Sequence, residues 1–177
     1  MGVTLYLCAQ MYDCVRAHVL QSELENVAFL FVQPEQRDCH LRLETVGIRL
    51  VESEGLVHGG SSYSLELTDE ERSSAIAGAS RKDTALVEVH SHPMSRRKAS
   101  FSSSDLAGFK EFVPHVWWRL RAKPYAALVL SQRDFDAVAW TKGPGNMEPL
   151  DAIVLDDCRI LKPTGRTLKF LKEGPRS

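Results

Sequence analysis

Stretches of strand-forming residues alternate with helical stripes along this chain, and polar breaks separate them. Val3–Leu7 alternates and is rich in strand formers, which predicts a short first strand. From Ala9 to about Gln21, the residues Met11, Cys14, Val15, His18 and Val19 recur at three- and four-residue spacing, the stripe of an amphipathic helix. On that stripe His18 reads as a packing residue, since no partner motif surrounds it. Asn26–Val32 is a nearly continuous apolar run, as expected of a central strand buried on both faces. The polar stretch Gln33–Asp38 then predicts a turn. His40–Val51 has a period of two and predicts one or two strands, on which adjacent Cys39 and His40 would point to opposite faces.

Glu52–Ser64 combines three glycines with serines and His58, and predicts a loop or mobile hairpin of the kind that can guide a substrate. Tyr63–Leu67 predicts another short strand. Thr68 predicts a helix cap with Asp69, Glu70 and Glu71 in the first turn, where the dipole favours acidic groups, and a helix running to about Ser80. Arg81–Asp83 is the expected turn into the apolar run Ala85–Val89. Beyond it, Ser102 or Ser104 should start a helix that reaches about Phe112 and ends or kinks at Pro114. Of Trp117 and Trp118, one is expected in the core and the other partly exposed. Tyr125–Leu130 and Phe135–Trp140 predict a hairpin, and Gly143–Asn146 a loop. Leu150–Leu155 and Arg159–Leu161 predict short strands, with a hairpin through Pro163–Gly165 and a frayed end from Glu173. The order of elements is that of a mixed α/β (α+β) fold: one sheet flanked by helices and partly antiparallel.

Composition narrows the class. At 177 residues, 44% hydrophobic and 25% charged, the chain is expected to form one globular domain over residues 1–177, of which about 150–177, with its short strands, is a C-terminal extension. A net charge of −1 leaves no excess of cations to neutralise phosphates, which argues against general nucleic-acid binding. Cys8, Cys14, Cys39 and Cys158 are scattered without a Cys-x-x-Cys pair, and are read as reduced, mostly buried thiols of a cytoplasmic protein. No apolar run approaches the length of a membrane span, and no signal-peptide pattern is present.

The chemistry concentrates after Val89. Residues i and i+2 of a strand share a face, so His90 and His92 project together while Ser91 points away. Asp105, carried by the next element, can bring a carboxylate back to them. Two imidazoles and a carboxylate make three ligands for one metal and leave a fourth position for water, the open arrangement of a catalytic zinc site. A His-x-His pair is expected by chance about 0.2 times in such a chain, and Ser102-x-x-Asp105 is also the pattern of a helix cap. Their order, with Pro93 and a preceding apolar strand, is more specific than either piece.

The string His90-Ser91-His92-Pro93, followed by Ser102-x-x-Asp105, resembles the JAB/JAMM (MPN) zinc metalloprotease family, and more narrowly its prokaryotic deubiquitinase-like members. The family places a glutamate upstream at the start of an apolar strand, and Glu25-Asn-Val-Ala-Phe-Leu-Phe-Val takes that place. Ala28 and Val32 stand where the family has glycines, and Glu23 is a competing candidate of poorer register. Twelve residues separate His92 from Asp105, two more than in the best-known members. The resemblance covers roughly residues 3–140. It implies a JAB/MPN-like (cytidine deaminase-like) mixed sheet, with Zn²⁺ held by His90, His92 and Asp105. It further implies Glu25 as general base and Ser102 as oxyanion donor.

The implied activity is cleavage after the C-terminal glycine of ubiquitin or a ubiquitin-like protein. Bacterial members of this size look like partners of ubiquitin-like, E1-like and E2-like proteins, including in anti-phage defence. Neither nucleic acid nor membrane is an expected partner. The basic triplet Arg96-Arg97-Lys98 reads first as a solvated loop and second as a flank of the cleft. Three other readings stand beside this one. A non-catalytic MPN scaffold is disfavoured because every chemical position is filled. A RadC-like protein of nucleic-acid metabolism is disfavoured by the charge, and a cysteine hydrolase has no local signature.

Overall fold

Alternate side chains of the central strands face two different helical layers, and that division organises the molecule. A computed structural model describes residues 2–58 and 65–173. Its elements are β1 (Gly2–Leu7), α1 (Ala9–Val19), β2 (Val27–Arg37), β3 (His40–Leu50), β4 (Leu56–His58), β5 (Leu65–Leu67), α2 (Asp69–Arg81), β6 (Ala85–Ser91) and α3 (Ser103–Arg119). There follow β7 (Tyr125–Leu130), β8 (Phe135–Trp140), β9 (Met147–Pro149), β10 (Ala152–Leu155), β11 (Ile160–Leu161) and α4 (Arg166–Glu173). Among the described residues no helix is long and apolar enough to cross a membrane.

The fold is of the mixed α/β class. One large sheet has the order β11-β10-β1-β3-β2-β6-β7-β8-β9, and β4 pairs with β5 in a separate hairpin. Strand β1 runs parallel to both β3 and β10, and β6 parallel to β7; the other neighbours are antiparallel. On one face Ala28, Leu30, Val32, Val87 and Val89 pack with Val15 and Val19 of α1. On the other, Val27, Phe29, Phe31 and Leu86 pack with Ala75 and Ile76 of α2 and with Phe109, Val113 and Val116 of α3. This period of two, with both faces apolar, is why Val27–Val32 of β2 reads as an unbroken hydrophobic run, and β6 as one interrupted by Glu88 before His90.

Several expectations are corrected. Gln33–Arg37 is not a turn: β2 continues through it, paired with His40–Glu44, and the reversal falls at Asp38, whose φ of 50° is left-handed. Backbone pairing carries the strand past the end of its apolar run, because β6 covers only Val27–Val32 and the rest is an edge toward solvent. Pro34, which has no N–H to donate, is tolerated on such an edge.

Helix α3 does not stop near Phe112 but runs through Pro114 to Arg119. Pro114 is exposed, so the carbonyl it leaves unpaired can reach water, while buried Val113, Val116 and Leu120 hold the second half on the sheet. Trp117 packs on the core and Trp118 is exposed. Pro163–Gly165 forms no hairpin; it leads into α4, which with β9 was not anticipated. The thiols are not mostly buried: Cys14, Cys39 and Cys158 are exposed, on the outer face of α1 and in two turns, and all four are free. Of the expected 52–64 loop, Ser53–Gly55 is a 3-10 turn and Leu56–His58 is β4, while residues 59–64, the start of the Tyr63–Leu67 strand among them, lie outside the described residues. So do residues 174–177 of the expected frayed end. His18 bridges two strand ends, its Nε2 lying 3.2 Å from the Val27 carbonyl and 3.1 Å from that of Val51.

Candidate metal centre

The site forms where β6 ends and α3 begins, outside the carboxyl end of a strand in a β-α-β crossover, a common place for ligands in α/β folds. Strand β6 turns Leu86, Glu88 and His90 to the α2/α3 face, and Val87, Val89 and Ser91 to the opposite one. Past the strand's last residue the ladder persists for one more bond, the His92 N–H donating to the Leu130 carbonyl at 2.8 Å. That bond keeps the second imidazole in register with the first, and the ring centroids lie 5.3 Å apart.

Asp105 reaches both rings because α3 has a capping box. The Ser102 hydroxyl accepts the Asp105 N–H at 3.1 Å, and Asp105 Oδ2 accepts the Ser102 N–H at 2.6 Å. The same Oδ2 lies 3.3 Å from His92 Nε2 and 3.6 Å from His90 Nε2. The cap pattern and the ligand pattern of Ser-x-x-Asp therefore coincide in one arrangement.

One ligand atom from each of His90, His92 and Asp105 lies within 4.8 Å of the others, and among the described residues no other three His, Cys, Asp or Glu side chains do so. A tetrahedral ion with bonds of ~2.1 Å requires ligand atoms roughly 3.4 Å apart, close to the two separations above. A second observation concerns His90, which is buried while its Nε2 has no hydrogen-bond partner among the described residues. A buried nitrogen left without a partner is costly, and a bound ion would satisfy it. The donor set suits zinc: two imidazoles, one carboxylate and room for a fourth ligand.

Glu25 lies just ahead of β2, which is antiparallel to β6 and pairs Val27 with His90. Its backbone is held by the next residue, since the Asn26 N–H donates to Ser91 Oγ at 3.1 Å. The side chain is 12% exposed and its Oε1 stands 3.5 Å from His92 Nε2. Glu23, by contrast, is exposed. Burial pushes the Glu25 pKa up and Asp105 adds to the shift, while His92 and His90 oppose it. A carboxyl lifted this way is a better proton acceptor at neutral pH than an ordinary one.

Glu88 is a residue the sequence reading passed over. Its Oε1 lies 3.4 Å from His90 Nδ1, and its Oε2 accepts the Tyr125 hydroxyl at 2.8 Å. A carboxylate on the far nitrogen fixes the tautomer that leaves Nε2 free to ligate. The signal was available: Glu88 is two residues before His90, so it must share that face. Burial opposes charge on His90, yet Asp105 and Glu88 outweigh it and push the pKa up to about 10. Burial likewise opposes charge on Asp105, but the two imidazoles and the Ser102 N–H hold it below the usual carboxylate range.

A cleft of about 400 Å³ opens beside the cluster, lined by Glu25, Glu88, His90 and Asp105, with Arg72 and Phe112 farther along. The Ser102 hydroxyl stands 2.8 Å from that of Ser104, which also lines the cleft. Arg96, Arg97 and Lys98 are exposed on the loop between His92 and Ser102.

No family model and no curated protein matches the chain. Among solved structures, the solution structure of protein DSY2949 from Desulfitobacterium hafniense, a structural-genomics target, is similar. The identity is 17% and the TM-score 0.48, over 87% of this chain and 92% of that one.

Proposed function

We propose that this chain is a zinc-dependent hydrolase of the JAB/JAMM type that cuts an amide or isopeptide bond. The observation that carries the reading is the convergence of His90, His92 and Asp105 on one point, with Glu25 3.5 Å from His92. His90, His92 and Asp105 would hold the zinc ion, which when bound would supply Lewis acidity to a water and to the scissile carbonyl. Glu25 accepts a proton from the attacking water and returns it to the departing nitrogen, so charge balances across the step. The Ser102 hydroxyl accepts the Asp105 N–H and stands 2.8 Å from that of Ser104, and its own proton can turn to the oxyanion on the tetrahedral carbon. One such donor contributes about 3 kcal/mol to the transition state. Glu88 and Tyr125 keep His90 oriented throughout.

For the substrate, the resemblance carried by His90-Ser91-His92-Pro93 and Ser102-x-x-Asp105 favours the glycine-ending tail of a ubiquitin-like protein, with its conjugates and conjugating enzymes as partners. A cleft of about 400 Å³ can admit such an extended tail but not a folded domain.

The test uses a ubiquitin-like protein joined through its terminal glycine to a reporter. Zinc-loaded protein should release the reporter, a chelator should stop it, and His90→Ala and Asp105→Ala should each lose zinc and activity together. Full zinc in both variants would overturn the ligand set. Zinc-loaded protein inert toward every glycine-ending tail would move the reading to a non-catalytic scaffold.

A further inference from the structure

The segment that delivers Asp105 is held in place from the far end of the chain. Between His92 and Ser102 the chain leaves the sheet, and its return is fixed at two residues. The Ala99 N–H donates to Asp134 Oδ1 at 2.9 Å, and the Ala99 carbonyl accepts the Thr164 hydroxyl at 2.7 Å. Two residues on, the Phe101 N–H donates to Thr167 Oγ1 at 3.0 Å, in a buried bond across 66 positions of sequence. Thr167 in turn donates its hydroxyl proton to Asp136 Oδ2 at 2.6 Å. Asp136, itself 1% exposed, also accepts the N–H groups of Gly165 and Thr167, each at 2.8 Å. Three donors at the start of α4 thus satisfy a carboxylate that would otherwise be costly to bury.

Phe101 is the link to the metal centre. Its ring stands edge-on to His90, with centroids 5.5 Å apart, and edge-on to Phe109 at 5.2 Å. The next residue is Ser102, the cap of α3, and Asp105 follows three later. The loop from β6 to α3 is eleven residues long (92–102), and a loop of that length does not by itself hold a carboxylate to a few tenths of an ångström.

We propose that Thr167 is a positioning residue for the metal centre: acting through Phe101, it sets the start of α3, and with it Asp105, against His90 and His92. The proposal rests on the metal reading above and adds to it that the segment after residue 163 is a working part of the site. Thr167 touches no ligand and is no catalytic residue. It supplies the one acceptor for a buried N–H whose position fixes both a ligand-bearing helix and the ring packed on His90.

The experiment compares Thr167→Val, which keeps the shape and removes the hydroxyl, with Thr167→Ser, which restores it. Ile153→Val, a core change on the opposite face of the sheet, serves as a control for general loss of stability. Zinc affinity is read by competition with a chromogenic chelator, and protection of the Phe101 amide by hydrogen exchange in metal-free protein. Thr167→Val should weaken zinc binding about tenfold or more and strip protection from the Phe101 amide. Thr167→Ser should stay close to the parent in both, and Ile153→Val should bind zinc normally. Parent-like zinc binding by Thr167→Val, or equal weakening in Ile153→Val, would overturn the positioning role alone. A parent protein that takes up no zinc would overturn the metal reading, and this proposal with it.

Discussion

Replacing Glu25 with Gln separates a residue that moves protons from one that holds metal. The exchange keeps side-chain length and hydrogen-bonding capacity but removes the proton acceptor. Glu25 Oε1 lies 3.5 Å from His92 Nε2, while the three ligand positions are filled by other residues, so zinc content should be unchanged. Loss of a general base costs on the order of 10²–10⁴ in turnover, which is about 2.7–5.4 kcal/mol of barrier.

Stability should move the other way. Burial is the main cause of the raised Glu25 pKa, so the folded protein disfavours its carboxylate relative to the unfolded chain. A carboxyl with a raised folded pKa makes a contribution to folding that is complete below its ordinary value of 4.5 and is lost as pH rises through the folded value. Metal-free Glu25→Gln should therefore melt no lower than metal-free parent at pH 7. The assays are reporter release, elemental zinc and a thermal melt of chelated protein. Turnover within a few-fold of the parent, or zinc loss as deep as in His90→Ala, would refute the base role. Glu23→Gln should be silent, because Glu23 is exposed.

Zinc uptake should release a proton near neutral pH, because Asp105 and Glu88, against the opposing effect of burial, push the His90 pKa up to about 10, and the imidazole must give up that proton to ligate. Apparent affinity should rise with pH as that proton becomes easier to lose, and calorimetric heats that do not vary with buffer ionisation enthalpy would refute it. Glu88→Gln should weaken zinc binding by about 10–100-fold through its effect on His90, and an unchanged dissociation constant would remove Glu88 from the site. Phe29, fully buried between β2 and the α2/α3 layer, should cost about 3–5 kcal/mol when cut to Ala, measured by urea unfolding.

What the chain disclosed before its structure was local. His90 and His92 share a face by strand geometry, and Ser102 and Asp105 meet by helix geometry, so both pairs could be found from spacing alone. Glu25 required the resemblance, because 65 residues separate it from His90 and no period links them. Glu88 was legible by the same strand rule that found the histidines, and was hidden by reading β6 as a plain apolar run. Thr167, Asp136 and Phe101 were not legible at all: their bonds span 31 and 66 positions and follow from packing. The two misplaced element ends share a cause. At Gln33–Arg37 and beyond Pro114 the local pattern signalled an ending, but sheet pairing and core contacts with distant residues carried each element on. Helix α4 is two turns long and follows a proline and a glycine, so its neighbours in space matter more to it than its own periodicity.

The parallel pairing of β1 with β10 has a consequence for the order of events during synthesis. Strand β1 finds its first neighbour, β3, within some forty residues of chain, but its other edge is covered only when Ala152–Leu155 arrives. Until about residue 155 has cleared the ribosome, a strand carrying Val3, Leu5 and Leu7 has an open row of donors and acceptors. The Val3 N–H, which ends on the Asp151 carboxylate, waits equally long. Growing chains that end short of β10 are thus the form of this protein most exposed to edge-to-edge association, and the arrival of Ala152–Leu155 removes the hazard.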